Sequence, residues 1–132
     1  MRYPISNLVV MILGGAGVLD EVSSWGVTAV ARLKKGEVSL ERFEAAAEGI
    51  APPKAGALAV DGPAASARIL REILAGEPGP AREIVLLNAS AAAQAAGVAS
   101  SWKEGIACAV AAIDGGKAQA ALEKLIEVSN AT

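Results

Sequence analysis

Hydrophobic positions change their period part-way along this chain. As far as about residue 43 they come in short runs and alternations, whereas from Asp61 onward they recur at helical spacing. The run Leu8-Val9-Val10-Met11-Ile12-Leu13 is short, continuous and partly β-branched, the pattern of a strand buried on both faces of a sheet with helices on either side. Val27 to Leu33 alternates with polar residues, Lys35-Gly36 makes a turn, and Glu37-Val38-Ser39-Leu40 returns, which predicts a hairpin. Residues 44 to 60 are the least structured: alanines, Gly49, Gly56 and Pro52-Pro53 describe a long connection across the surface.

About four helices are expected from 61 to 129. Asp61 and Pro63 open the first, Ile69, Leu70, Ile73 and Leu74 form its apolar stripe, and Gly76 closes it. Pro80 starts the second, in which Ile84 to Leu87 and Ala89 to Ala96 are apolar nearly all round; such a helix must be surrounded by protein. Ser101-Trp102-Lys103-Glu104 reads as a capping box, with Ser101 accepting the Glu104 backbone N–H and the Glu104 side chain returning to the Ser101 N–H. Gly115-Gly116 separates that helix from the last, which carries Leu122, Leu125 and Ile126. A few strands followed by helices make the fold class α/β, as one domain or part of one.

Composition narrows the function classes. The 132 residues are 53% hydrophobic but only 3% aromatic, so alanine-rich helices pack closely with few large anchors. Twelve basic residues against 14 acidic ones leave a net charge of -2, no basic face appears, and nucleic acid is excluded as a partner. No segment approaches the ~20 apolar residues that span a membrane. Arg2 and the run to Leu13 do not make a signal peptide, because the apolar core is short and no Ala-x-Ala site follows before Asp20. Cys108, the single cysteine, has only apolar neighbours in sequence; packing is expected of it, since nothing beside it lowers a thiol's pKa.

Candidate chemistry is concentrated in Gly14-Gly15-Ala16-Gly17-Val18-Leu19-Asp20-Glu21-Val22-Ser23. Glycines at a strand end let the backbone approach a phosphate, and adjacent carboxylates supply hard oxygen ligands to Mg2+. Taken alone the pair Asp20-Glu21 is more often a solvated helix start. Asn88, inside the apolar helix, either touches substrate or hydrogen-bonds a neighbouring loop or helix end. The second is the stronger reading, because an unsatisfied buried amide costs about 1–3 kcal/mol. Arg82 either meets phosphate or pairs at the surface with Glu77 or Glu83, and the pairing is expected. Trp25 and Trp102 are packing or partner-contact residues without an aromatic ladder for stacking bases.

From Leu19 to Ala31 the sequence resembles a signature of the anthranilate phosphoribosyltransferase family. The resemblance continues in the family's order through Leu74-Ala75-Gly76-Glu77-Pro78-Gly79-Pro80-Ala81-Arg82, Val85-Leu86-Leu87-Asn88-Ala89 and Ile113-Asp114-Gly115-Gly116-Lys117-Ala118. It implies the C-terminal portion of a nucleoside phosphorylase/phosphoribosyltransferase-type α/β domain. Its implied reaction transfers phosphoribose from phosphoribosyl diphosphate to anthranilate in tryptophan biosynthesis, in the cytoplasm. Asp20 and Glu21 match the family's carboxylates that hold one Mg2+. The N-terminal helical domain, the phosphoribosyl diphosphate loop and the residues that grip both substrates are expected upstream. No catalytic or substrate-binding residue is assigned within this chain.

The chain also departs from the pattern. Leu13-Gly14 stands where the family usually has His-Gly, there is no histidine, Val18 looks inserted, and Ser66 takes the place of an asparagine. Met1 to Asn7 fits poorly and reads as a truncation scar or a displaced start. Two other classes stay open: a different phosphoribosyltransferase or phosphorylase of the same fold, and a non-catalytic fragment that pairs with a separate N-terminal half or with itself.

Overall fold

A computed structural model describes the backbone of residues 7–11 and the whole of residues 21–131. Three strands are followed by a short 3-10 turn and four helices: β1 Asn7–Met11, β2 Val27–Lys34, β3 Glu37–Glu44, then α1 Pro63–Leu74, α2 Pro80–Ala95, α3 Trp102–Asp114 and α4 Lys117–Asn130. The sheet has the order β1-β2-β3 and both pairings are antiparallel.

The predicted hairpin is present, and its turn explains its register. Lys35 (φ 52°) and Gly36 (φ 86°) both have positive φ, the two-residue turn whose twist matches that of the flanking strands. Lys34 therefore faces Glu37, and the ladder runs back to Val27 opposite Glu44, so β3 is longer than the expected return. The strand expected from the apolar run is present over Asn7–Met11. It pairs antiparallel with β2, as Val10 opposite Ala31, and lies at an edge of the described sheet. A continuous apolar run reports burial but not the direction or number of its neighbours. Ile12 and Leu13, at the run's end, lie outside the described residues.

Helix α2 is apolar all round because it serves two cores. Leu87 and Ala91 join Val22, Val30, Phe43, Ala45 and Ile50 between sheet and helices, while Leu86 joins Ile73, Ala109 and Ile113 among the helices. Leu87 is fully buried, worth about 1.5–3 kcal/mol over an exposed side chain. Trp102, from the first turn of α3, stacks on Phe43 of β3 with ring centroids 3.9 Å apart and planes 23° from parallel. The connection from 44 to 60 is tied down rather than loose: Ala45 and Ile50 are buried, and the Trp25 Nε1–H donates to the Pro53 carbonyl at 3.1 Å.

Three side chains differ from expectation. Cys108 is exposed, because α3 turns Gly105, Ala109 and Ile113 inward and Cys108 lies off that row; apolar neighbours in sequence are not neighbours on a helix face. Leu70 is exposed as well, Ile73 being the buried member of its stripe. The capping box is half formed. Ser101 Oγ accepts the Glu104 N–H at 3.2 Å, but the Glu104 carboxylate accepts from the Ser100 N–H at 2.8 Å and the Ser100 hydroxyl at 2.6 Å.

Those bonds hold the Glu104 carboxyl below the ordinary glutamate value, the Ser100 hydroxyl contributing most and the Ser100 N–H next. A lowered folded-state pKa stabilises above the ordinary value, and that contribution is lost as pH falls through the lowered one. Titration followed by NMR should show Glu104 protonating below the ordinary glutamate value, and Ser100→Ala should return it towards that value.

Gly105 marks a close crossing of α3 on α2. A Cβ there would meet Ser90 Oγ and stand 2.8 Å from Ser90 Cα. Glycine-to-alanine inside a helix ordinarily stabilises by about 0.5–1 kcal/mol. Here Gly105→Ala is expected to destabilise by about 1–3 kcal/mol through overpacking, and denaturant unfolding of the two proteins reads the sign directly.

Candidate functional site

The segment leaving the acidic turn is pinned by side chains rather than by a ladder. Val22 is fully buried in the sheet–helix core. Its N–H donates to Asn88 Oδ1 at 2.9 Å, and Asn88 Nδ2 donates back to the Val22 carbonyl at 3.1 Å and to Ile84 O at 2.9 Å. The amide thus treats Val22 as a neighbouring strand would, and the loop-binding role expected of Asn88 is the one it plays. Next, the Ser23 N–H donates to Thr28 Oγ1 at 3.1 Å and the Trp25 N–H to Ser23 Oγ at 2.9 Å. Ser23 and Thr28, both buried, were not singled out from sequence, although a Ser-Ser-Trp-Gly turn before a β-branched strand is a recognisable signal for such local bonds. Ser24 is buried too, and its hydroxyl finds no hydrogen-bond partner among the described residues.

Glu21 precedes this fixed segment and is exposed. Its backbone is anchored through Val22 while its carboxylate faces solvent. It borders a cavity of about 300 Å³ whose other walls are apolar, from Leu58, Val60, Ile69, Ile73 and Ile84 among others. Asp20, the other predicted Mg2+ ligand, and the glycines of the turn lie outside the described residues. No cluster of three or more His, Cys, Asp or Glu stands ready for a metal among the described residues. Glu21 fits Mg2+ as one oxygen donor of an open site, since that ion keeps several waters and shares its shell with substrate phosphates.

The other candidates lie elsewhere. Arg82 pairs with Asp114 at 2.8 Å, not with Glu77 or Glu83; it joins the first turn of α2 to the end of α3, and its guanidinium is largely buried while Asp114 is half exposed. A second cavity, of about 230 Å³, opens towards the hairpin end and is lined by Arg32, Lys34, Gln94 and Ser100 among others. Its arginine is already engaged by Glu41 at 2.9 Å and Gln94 at 3.0 Å. No described helix is long and apolar enough to cross a membrane.

Residues 5–119 match the model of the glycosyl transferase family, a/b domain. The chain belongs to that family. Among curated relatives it is similar to the anthranilate phosphoribosyltransferase of Rhodopseudomonas palustris, strain CGA009, with 45% identity over 129 residues covering 96% of this chain and 38% of the relative. Anthranilate phosphoribosyltransferase 2 of Streptomyces coelicolor is 39% identical over 119 residues, covering 90% and 36%. The chain therefore spans little more than a third of the length of these relatives. In three dimensions it is similar to the Thermus thermophilus anthranilate phosphoribosyltransferase, with a TM-score of 0.75, 31% identity, and 89% of this chain over 34% of that one. The Saccharomyces cerevisiae enzyme in complex with PRPP and Mg gives a TM-score of 0.77, 29% identity, and 92% over 34%. This membership places the antiparallel hairpin and the four helices in the α/β domain of the family.

Removing the Asn88 amide tests whether the acidic segment depends on it. Asn88→Ala leaves the Val22 N–H and carbonyl buried without partners and should cost about 1–3 kcal/mol. Hydrogen exchange should accelerate at Val22 and Ser23 well before it does in α3. Uniform acceleration across the chain would show the amide to be general packing instead.

Proposed function

We propose that this chain forms the C-terminal part of an anthranilate phosphoribosyltransferase, a cytoplasmic enzyme of tryptophan biosynthesis, with Asp20 and Glu21 holding Mg2+ on phosphoribosyl diphosphate. The observation that carries the reading is the clamp of Asn88 on Val22, which fixes the main chain beside Glu21 in a segment resembling the family's metal-binding signature. Relatives 39–45% identical carry that activity in their names, and one structural neighbour is described with PRPP and Mg.

Joining anthranilate's amine to the ribose C1 expels diphosphate, so negative charge grows on the leaving group and positive charge on the ribose. Bound Mg2+ neutralises that negative charge without a protein acid. Glu21 is suited to orient such an ion because its carboxylate is exposed while its backbone is held. The segment 22–25 supplies rigidity, so the donor is placed before substrate arrives. The elements that bind and align both substrates belong to the two-thirds of the relatives that this chain does not span.

Two outcomes follow. The isolated chain should show no turnover above a no-protein control, because alignment of the reactants supplies about 7–11 kcal/mol of a barrier and depends on absent segments. In a complete enzyme carrying this segment, Asp20→Asn with Glu21→Gln should raise the Mg2+ requirement at least about tenfold and cut turnover, while leaving the thermal midpoint nearly unchanged. An unaltered magnesium dependence would return the pair to a solvated turn.

A further inference from the structure

A buried hydroxyl without a bond stands beside the acidic segment. Ser24 is 4% exposed, and its Oγ has no hydrogen-bond partner among the described residues. The groups around it in sequence are all engaged. Ser23 Oγ accepts from the Trp25 N–H at 2.9 Å, Thr28 Oγ1 accepts from the Ser23 N–H at 3.1 Å, and the main chain of Val22 is held by Asn88. The turn is therefore closed by bonds in which the Ser24 side chain takes no part. Burying a hydroxyl that makes no bond is unfavourable, and an alanine of nearly the same shape would avoid the loss. A serine in such a place needs a reason beyond the turn itself.

Its position supplies one. Among the described residues, Ser24 Oγ is the one buried side-chain nitrogen or oxygen left without a bond, and Ser24 follows Glu21 by three residues and Asp20 by four. What the hydroxyl offers there is a proton donor. A carboxylate that gives one oxygen to a metal keeps acceptor capacity on the other, and a donor aimed at that second oxygen fixes the ligand's orientation. Such outer partners are a regular part of metal sites.

We infer that Ser24 is a positioning residue for the cation: its hydroxyl donates to a carboxylate of the Asp20–Glu21 pair when that pair holds Mg2+. The inference rests on the function proposed above for the identity of the ion. A bond made only in the metal-loaded state counts toward cation affinity and not toward folding. Ser24 is thereby set apart from Ser23 and Thr28, whose bonds hold the turn itself.

The test uses a complete enzyme, this chain fused to the upstream part of the Rhodopseudomonas palustris relative, with Mg2+ and phosphoribosyl diphosphate as the probe. Calorimetry reads the Mg2+ dissociation constant at a fixed phosphoribosyl diphosphate concentration, and thermal unfolding without Mg2+ reads the fold. Ser24→Ala should weaken Mg2+ binding at least about tenfold, as loss of an outer partner does at other metal sites, while leaving the midpoint unchanged or higher. Ser24→Cys, nearly isosteric but a weak donor, should do the same. Ser24→Thr, which keeps the hydroxyl, should bind Mg2+ more tightly than either. Ser23→Ala supplies the contrast: it removes the acceptor of the Trp25 N–H, so its midpoint should fall. If the midpoint falls for Ser24→Ala while Mg2+ affinity stays put, the hydroxyl is an ordinary structural group bonded through a buried water and the inference is overturned. A variant with both quantities unmoved would overturn it as well. A parent enzyme that binds phosphoribosyl diphosphate equally well without Mg2+ would sink the proposed function and this inference with it, whereas magnesium-dependent binding indifferent to Ser24 would sink the inference alone.

Discussion

Everything described depends on a helix that is packed on two sides. Helix α2 lies between the sheet and the other helices, with Leu87 and Ala91 in one core and Leu86 in the other. A helix so placed cannot point a polar group anywhere without finding it a partner, because a buried unpaired donor or acceptor costs far more than a hydrogen bond returns. Its three polar residues along the buried side obey this. Asn88 binds the main chain of Val22, Ser90 Oγ–H donates to the Trp102 carbonyl at 2.9 Å, and Gln94 Oε1 accepts from Arg32 at 3.0 Å. Each of the three fixes a different neighbour: the acidic segment, the start of α3, and β2.

The close approach at Gly105 follows from the same placement. Ser90 reaches the carbonyl of Trp102 because α3 has no side chain at Gly105 to hold it away. The stacking of Trp102 on Phe43 then closes the sheet against α3. With so few aromatic residues in the chain, this single pair fills space that aliphatic side chains occupy elsewhere. Small residues at the crossing and one large pair at its margin are complementary solutions to packing an alanine-rich body at native density.

Legibility from sequence followed the range of the signal. Helix starts at Pro63 and Pro80, the stop at Gly76 and the break at Gly115-Gly116 act locally, and all were readable; so was the Lys35-Gly36 turn, whose backbone angles are set by two residues. The apolarity of α2 announced a helix packed on more than one side, and it serves two cores while Ala92 stays exposed. What could not be read were choices between partners of the same chemistry: Asp114 rather than Glu77 or Glu83 for Arg82, Ser100 rather than the adjacent Ser101 N–H for the Glu104 carboxylate, and an antiparallel edge for β1. The first and last are decided by elements distant in sequence, the second by the local path of the chain into α3. Of the candidate site, the acidic motif was visible from residue types, and the bonds of Ser23 and Thr28 that stiffen the segment after it were signalled only by the Ser-Ser-Trp-Gly turn, which names the residues but not the pairing.

The clamp on Val22 joins residues 66 positions apart in the chain. Closing a loop of that length costs entropy before any contact repays it, and contacts so remote in sequence form late relative to hairpins and helices. The hairpin and α2 are each built from contacts local in sequence, but the segment beside Glu21 acquires its shape only when the two have met. Ordering of the segment at Val22 and Ser23 is therefore coincident with completion of the fold. A partly folded chain, whatever helix content it has gained, leaves the main chain beside Glu21 without its fixed partner.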